Sequence, residues 1–214
     1  EKVADRVRAA SPRSQVQVVS KNNVPTDWSP QLLGEHNRDN IACAMGVARA
    51  MNIPEETVKE AVELFTGVPG RLEYLRTVEG VAVYNDTNAT TPTATIAALR
   101  ALGKEKNIVL ICGGTDKGLN MQELVDEIPK YCKAVILLEE TGTSKIRDMI
   151  YDVGFKNTFK VKEEGTLKGC VEEAMKIAEK GDIVLFSPAF ASFGKWFKNE
   201  YDRGNQFVEL VRKL

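Results

Sequence analysis

Three short polar clusters in this sequence have residue types and positions suited to binding a ligand. Each follows an apolar run typical of a buried strand: "DTNATT" (86–91) follows "VAVYN", "GGTDKG" (113–118) follows "IVLIC", and "SPAFAS" (187–192) follows "IVLF". In an open parallel sheet, the loops at the carboxyl ends of the strands converge and form the usual ligand site. The sequence therefore predicts that all three clusters face one edge of a sheet.

The first cluster is open to two interpretations. Pro92 suits the first position of a helix, and Thr91 before it can cap the free amides of that helix. This structural interpretation gives no local role to Asp86, Asn88 or Thr90. A binding site would use their carboxylate, amide and hydroxyl groups.

The other two clusters are equally open. Cluster 113–118 offers flexible backbone, a carboxylate and the Lys117 ammonium, yet it is also an ordinary strand-to-helix turn. It matches neither the G-x-G-x-x-G nor the G-x-x-x-x-G-K-[ST] phosphate loop. Region 187–204 contains several aromatic residues in a loop that also has serine and glycine. These residues form either a binding site or an aromatic cluster that anchors the last helix. Asp202 and Arg203 are interpreted as a surface pair.

A fourth polar group lies near the start of a predicted helix. His36, Asn37 and Asn40 fall in its first turn, where residues three apart share a face. Asn37 is either the N-cap of that helix or part of a site, and His36 alone is more typical of a structural residue.

The elements that must position these clusters alternate from residue 81 onward. Apolar runs at 81–85, 108–112, 134–138, 158–161 and 183–186 alternate with helical segments at 92–102, 121–130, 144–152, 166–179 and 204–214. Continuous apolar runs suit strands that are buried on both faces. We expect an α/β, Rossmann-like fold whose mostly parallel sheet is flanked by helices. The stripe Phe207, Leu210, Val211 and Leu214 packs the last helix against that sheet.

Residues 1–70 have a different, mainly helical pattern. A possible strand at 15–19 precedes two helices. Their apolar faces consist of Ile41, Ala44, Met45, Ala48 and Met51 in the first and of Val58, Ala61, Val62 and Phe65 in the second. The stretch Gly67–Gly70 stops the second helix, which predicts a domain boundary at residue 70.

Composition narrows the class of function. The 214 residues carry a net charge of −1 with basic residues scattered among acidic ones, which disfavours nucleic acid and anionic membranes as partners. Four separated cysteines and one histidine predict no metal site, and apolar surroundings predict reduced cysteines in a cytoplasmic protein. No apolar stretch reaches the ~20 residues that span a bilayer. A start at Glu1 within a domain-like region predicts a piece of a longer protein.

Five stretches together resemble the Mur ligase family in order and spacing. They are "GEHNRDNIACAM", "GVPGRLEYL", "GVAVYNDTNATTPTATIAAL", "CGGTDKGLNM" and "SPAFASFGKWFKNEYDRG". Within the family, they most resemble the members that add D-glutamate to UDP-N-acetylmuramoyl-L-alanine in peptidoglycan synthesis. The resemblance implies that residues 1–70 are the C-terminal part of a central ATP-binding domain and that 71–214 are the C-terminal Rossmann-like domain.

The resemblance also implies the chemistry and the roles of residues. ATP, with Mg²⁺, phosphorylates the substrate carboxylate, and the D-glutamate amine then displaces phosphate. The implied substrate contacts are Lys117, Thr90 and Ser192 for D-glutamate and Phe193 for the muramoyl substrate; the implied nucleotide contacts are Asn37, Asn40, Arg71 and Asp86. The resemblance implies no catalytic side chain. The phosphate loop and a magnesium-associated lysine would lie upstream, so the chain alone is not expected to catalyse the reaction.

Two departures and two alternatives accompany this resemblance. Asn88 stands where such members commonly have a lysine, and the terminal motif is one residue longer around Lys195 and Trp196, which leaves Glu200 and Tyr201 without an assigned role. One alternative is another Mur or folylpolyglutamate-type amino-acid ligase. The other is a non-enzymatic Rossmann-like binding module.

Overall fold

The chain forms two compact units, Glu1–Thr66 and Gly67–Leu214. The computed structural model describes residues 2–11, 13, 15–160 and 166–214. The boundary predicted from the sequence lies a few residues later, after residue 70. Among the residues described, no helix is both long and apolar enough to cross a membrane.

The first unit is helical. It contains α1 (Lys2–Ala10), a 3-10 turn (Lys21–Asn23), α2 (Glu35–Ala50) and α3 (Glu55–Leu64). The strand predicted at 15–19 is wrong, because these residues form no regular structure. A strand needs a neighbour to satisfy its backbone, and in the described part of this unit none is present. Instead, Val19 packs against the buried residues of the helical core.

The second unit contains a six-stranded sheet in the order β1-β2-β6-β3-β4-β5. The strands are β1 (Glu73–Val78), β2 (Val81–Asn85), β3 (Ile108–Cys112), β4 (Cys132–Leu137), β5 (Thr158–Lys160) and β6 (Ile183–Phe186). Only the β1–β2 pair is antiparallel among the strands described. The predicted α/β fold with a mostly parallel sheet is confirmed. Val161, at the end of the predicted strand 158–161, lies outside the described residues.

Helices cover both faces of the sheet. They are α4 (Pro92–Leu102), α5 (Gln122–Tyr131), α6 (Thr143–Asp152), α7 (Leu167–Ile177) and α8 (Glu200–Arg212). In β3, Ile108, Leu110 and Cys112 pack with α4, α5 and α6, whereas Val109 and Ile111 pack with α7 and α8. This alternation is why the run "IVLIC" is apolar throughout. On α8, Phe207 and Val211 are buried, but Leu214 lies past the helix end and is exposed.

The hairpin formed by β1 and β2 was not predicted. Its two-residue turn consists of Glu79 (φ 51°) and Gly80 (φ 85°), both in the left-handed region that the twist of a tight hairpin requires. Glu-Gly signals such a turn less strongly than Asn-Gly or Asp-Gly, so only the second strand stood out in the sequence. The hairpin places residues 67–73 beside the end of β2.

Candidate functional site

The three polar clusters meet at one edge of the sheet. They follow β2, β3 and β6, which are neighbours in the order β2-β6-β3. The amide of Ala189 donates to the Ala89 carbonyl at 2.9 Å, which joins the first and third clusters. Thr115 and Ala191 exchange two backbone hydrogen bonds of 3.1 and 3.2 Å, which join the second and third. The loops bearing Thr90, Lys117 and Ser192 therefore lie side by side.

In the first cluster, the structural interpretation explains only part of the sequence. Thr91 caps α4 by accepting a hydrogen bond from the Ala94 amide at 3.4 Å, and Pro92 is the first helical residue. Thr90 is half-buried, and within the described residues its hydroxyl makes no hydrogen bond. Its hydroxyl is thus available to a ligand.

Asp86 is a buried carboxylate that joins three segments. It accepts hydrogen bonds from the Ser187 hydroxyl at 2.8 Å and from the Leu72 amide at 3.0 Å. Burial raises the pKa of Asp86 to about 6, against the opposing effects of these two hydrogen bonds and of the Arg71 charge. Since only 6% of the residue is exposed, a ligand has little access to the carboxylate.

The third cluster places Ser192 and Phe193 in different environments. Ser192 is buried, and its hydroxyl donates to Glu200 Oε2 at 3.3 Å. A ligand that binds this hydroxyl has to share it with Glu200. Phe193 is 58% exposed, and its carbonyl accepts a hydrogen bond from the Thr115 hydroxyl. The exposed ring can cover a bound molecule.

Lys117 is an uncommitted cation at this edge. It is exposed and makes no hydrogen bond or ion pair with any residue that the structure describes. Its neighbour Asp116 instead pairs with Lys145, whose ammonium lies 3.4 Å from Asp116 Oδ2 and also donates to the Leu119 carbonyl. Of the two lysines, Lys117 is the one free to bind an anion.

Arg71 and the two asparagines are placed in separate units. Arg71, in the second unit, is exposed, and its side chain has no hydrogen bond or ion pair within the described chain. In the first unit, helix α2 begins at Glu35 after Gly34, so Asn37 is not the N-cap. Asn37 donates to the Leu33 carbonyl at 2.7 Å and accepts from Asn40 at 3.0 Å. The Asn37 amide is thus engaged with a residue just before its helix, and the Asn40 amide with Asn37.

Asn88 holds the loop 86–91 against the segment before β1. Its side-chain amide donates to the Pro69 carbonyl at 3.2 Å, and its backbone amide donates to the Gly70 carbonyl at 3.0 Å. Its side-chain oxygen is buried without a partner among the described residues. Gly70 (φ 75°) lies so close that an added Cβ would be 2.9 Å from Thr87 Cγ2.

Arg203 was misinterpreted from the sequence as part of a surface pair. It is completely buried, and its guanidinium donates to the hydroxyl and carbonyl of Thr87 and to the carbonyls of Phe190 and Ala191, at 2.7 to 3.3 Å. Burial lowers the pKa of Arg203 to about 10, against the effect of the Glu200 charge. Arg203 lies four and eight positions before Phe207 and Val211, so it shares the buried face of α8 with them. The helical spacing in the sequence could therefore have indicated that Arg203 is buried.

The described residues contain no group of three or more His, Cys, Asp or Glu side chains that could hold a metal ion. All four cysteines are free, and three are buried, but Cys43 is exposed. Burial raises the pKa of both Cys112 and Cys170 to about 12, which keeps these thiols protonated and unreactive at neutral pH.

Part of the chain matches the model of a known protein family. Residues 70–190 match the family model described as "Mur ligase, glutamate ligase domain". The chain is also similar to two curated proteins named UDP-N-acetylmuramoylalanine–D-glutamate ligase. The protein from Pseudomonas fluorescens is 37% identical over 186 residues, with 86% of this chain and 40% of that protein covered. The protein from Roseiflexus sp. is 41% identical over 188 residues, with 86% and 39% covered.

Solved structures share the fold at lower identity. The UDP-N-acetylmuramate-alanine ligase MurC of Thermotoga maritima has a TM-score of 0.64 at 20% identity, with 86% of this chain and 39% of that one covered. A Mycobacterium tuberculosis folylpolyglutamate synthase, complexed with ADP, has a TM-score of 0.65 at 14% identity, with 86% and 42% covered. This chain thus spans about 40% of the length of the curated relatives it matches.

Proposed function

Because this chain belongs to the Mur ligase family, we propose that it is part of an ATP-dependent ligase that adds D-glutamate to UDP-N-acetylmuramoyl-L-alanine in peptidoglycan synthesis. The observation that carries the proposal is the identity of 36% to 41% with curated D-glutamate ligases across 86% of the chain. The convergence of three loops at one sheet edge supports it from the structure.

In the proposed reaction, the carboxylate of UDP-N-acetylmuramoyl-L-alanine attacks the γ-phosphorus of ATP, forming an acyl phosphate and releasing ADP. The D-glutamate amine then attacks the acyl carbon, forming the amide and releasing phosphate. The chain contributes positioning and charge. We assign it no catalytic acid or base.

D-Glutamate brings two carboxylates, which require fixed donors. Lys117, the uncommitted cation, would pair with one carboxylate, and the hydroxyls of Thr90 and Ser192 would donate to the ligand. Phe193, exposed next to Ser192, would lie against the muramoyl substrate. All four residues belong to loops that share hydrogen bonds at the edge.

The residues proposed to contact ATP differ in how accessible they are to it. The free guanidinium of Arg71 suits the phosphates. Asp86 has little exposed surface for a ribose hydroxyl, and its main contacts hold the loop in place. Asn37 and Asn40 would meet the adenine side. Mg²⁺ bound with ATP would neutralise phosphate charge, and we assign none of its ligands to the described residues.

We also propose that residues 1–70 are the C-terminal part of the central ATP-binding domain and that 71–214 are the C-terminal domain. The helical unit has an open apolar cleft of about 480 Å³, lined by residues that include Leu32, Ile53 and Phe65. An apolar surface of this kind needs a cover. The rest of the central domain, including the phosphate loop, would supply it, which agrees with the greater length of the relatives.

The test uses the full-length protein with MgATP and UDP-N-acetylmuramoyl-L-alanine. We expect phosphate release that requires D-glutamate. Lys117→Ala should raise the KM for D-glutamate by about 10- to 100-fold, because a charge-assisted hydrogen bond is lost, and should change the KM for ATP little. Lys104→Ala is the matched control, since Lys104 precedes β3 and so lies at the opposite edge.

Two outcomes would contradict the assignment. Activity with L-glutamate and a folate would favour a folylpolyglutamate-type ligase, whereas nucleotide binding without phosphate release would favour a binding module. Unchanged dependence on D-glutamate in Lys117→Ala would remove Lys117 from the site even if the ligase reaction is found.

A further inference from the structure

The segment before β1 adopts an unusual backbone around Arg71. Gly70 has a φ of 75°, and Leu72 has a φ of 45°, which is a left-handed conformation that non-glycine residues rarely adopt. Such strain persists only where the surrounding structure enforces it, and it is frequent at ligand-binding positions. The surrounding structure must therefore hold Leu72 in place, whereas Gly70, which reaches a positive φ without strain, needs contacts only to select that conformation.

Two carboxylates hold these residues. The Gly70 amide donates to Glu73 Oε2 at 2.8 Å, and the Leu72 amide donates to Asp86 Oδ1 at 3.0 Å. The Arg71 amide itself donates to the Val68 carbonyl at 3.0 Å. Both amides that flank Arg71 thus end on charged acceptors, which make stronger hydrogen bonds than neutral ones.

Glu73 also connects this segment to the loop after β2. The same Oε2 atom accepts a hydrogen bond from Asn85 Nδ2 at 3.0 Å, and Asn85 Oδ1 accepts from the Thr87 amide at 3.2 Å. Asn85 is buried, and it pairs with Glu73 in the register of the hairpin. A shift of Glu73 would therefore release Gly70 and the start of the loop 86–91 together.

We propose that Glu73 and Asn85 are positioning residues that fix the backbone of Arg71 so that its guanidinium faces the phosphates of the bound nucleotide. The inference rests on the proposed function, in which Arg71 contacts those phosphates. The Arg71 side chain is exposed and makes no hydrogen bond or ion pair within the described chain, so apart from the charge of Asp86 its direction is set by its backbone. Preorganising that backbone removes an ordering cost that nucleotide binding would otherwise carry.

The kinetic test compares three variants of the full-length protein. Glu73→Ala removes the shared acceptor and should raise the KM for ATP about 10- to 100-fold. The KM for D-glutamate should change much less, because the hydrogen bond from the Ala189 amide to the Ala89 carbonyl still holds the part of the loop that bears Thr90. Glu73→Gln keeps an acceptor oxygen and should stay within about threefold of wild type. Glu79→Ala, in the exposed hairpin turn, is the control and should leave both constants unchanged.

Equal effects of Glu73→Ala on both substrates would indicate a general structural role and overturn the inference. A Gln variant as defective as Ala would also overturn it, because the acceptor oxygen would then not be the feature that matters. A KM for ATP in Glu73→Ala equal to that of wild type would likewise overturn the inference.

A second measurement separates this inference from the proposed function. Hydrogen exchange of the peptide containing Gly70, followed by mass spectrometry on the same variants, should be about tenfold or more faster in Glu73→Ala and unchanged in Glu73→Gln. If wild type shows no D-glutamate-dependent turnover, the proposed function fails, while the exchange data still decide whether Glu73 holds Gly70. If wild type is active but the exchange of the Gly70 peptide is unchanged in Glu73→Ala, Glu73 does not hold Gly70 and the inference is wrong.

Discussion

The two units of this chain differ in how completely they bury their apolar residues. In the sheet unit, every residue of β3 is fully buried between two layers of helices. In the helical unit, α3 has no buried residue, and Phe65 and Met51 are 47% and 67% exposed. One unit has a closed core, and the other has an apolar face open to solvent.

This difference shows what helical periodicity can and cannot predict. The pattern assigned Ala44, Met51, Ala61 and Phe65 to buried faces, and all four are exposed. Ala44, Ala61 and Phe65 line the open cleft of the helical unit. Periodicity identifies the face that is suited to burial, but it does not identify what covers that face.

The largest expected effect is in the sheet unit. Arg203→Met leaves the carbonyls of Thr87 and Phe190 without their donor in a buried site, whereas the Ala191 carbonyl keeps the Thr115 amide as a donor. Each unsatisfied buried group costs about 1–3 kcal/mol, so we expect the free energy of unfolding to fall by about 3 kcal/mol or more. Denaturant unfolding followed by the fluorescence of Trp196 in a Trp28→Phe background measures this unit alone, because the chain has two tryptophans, one in each unit.

The matched control for Arg203 is Arg212→Met at the exposed end of the same helix, which should change the free energy of unfolding by less than about 0.5 kcal/mol. Equal effects of the two substitutions would mean that Arg203 does not link the loops. The fluorescence of Trp28, measured in a Trp196→Phe background, should report no change in the helical unit for either variant.

The sheet was predictable because most of its strands are short continuous segments of the sequence that helices cover on both faces. The runs 81–85, 108–112 and 183–186 coincide with β2, β3 and β6, since strands that have helices on both faces consist mainly of apolar residues. Strand β1 was missed because its burial is only partial and its residues include charged ones. The segment 15–19 had the composition of a strand but no partner among the described residues, and pairing cannot be inferred from composition.

The site was predictable to the level of loops but not of contacts. Parallel strands bring the loops bearing Thr90, Lys117 and Ser192 to one edge, and this follows from topology alone. Asp86 and Arg203 each have a partner more than 100 positions away, Ser187 and Thr87 respectively, and no local pattern encodes these contacts. The functional roles of the predicted site residues remain predictions.

A smaller effect should come from the charge of Asp86. Its pKa is raised from 3.8 to about 6 in the fold, so the folded state binds the proton more tightly than the unfolded state. The resulting stabilisation is complete below about pH 4 and is lost as the pH rises through about 6. Asp86→Asn should therefore stabilise the sheet unit by about 2 kcal/mol at about pH 8 and by little at about pH 4.

Unfolding curves of Asp86→Asn and wild type at these two pH values, read from Trp196, test the expectation. The exposed Asp152→Asn, near the end of α6, is the control and should give the same small difference at both pH values. A destabilised Asp86→Asn at about pH 8 would mean that the charged hydrogen bonds to Ser187 and Leu72 outweigh the cost of burying the carboxylate.

The smallest effect is expected in the open cleft of the helical unit, and it bears most directly on the contrast between the units. Phe65→Ser in the 214-residue chain should change the stability of this unit, read from Trp28, by less than about 0.5 kcal/mol, because the ring is already half exposed. In the longer ligase proposed above, where the rest of a central domain would cover the ring, the same change should cost about 1–2 kcal/mol. Leu64→Ser is the control, because Leu64 is a neighbouring exposed residue outside the cleft lining. A large loss already in the 214-residue chain would mean that the cleft closes on itself and that both units have complete cores.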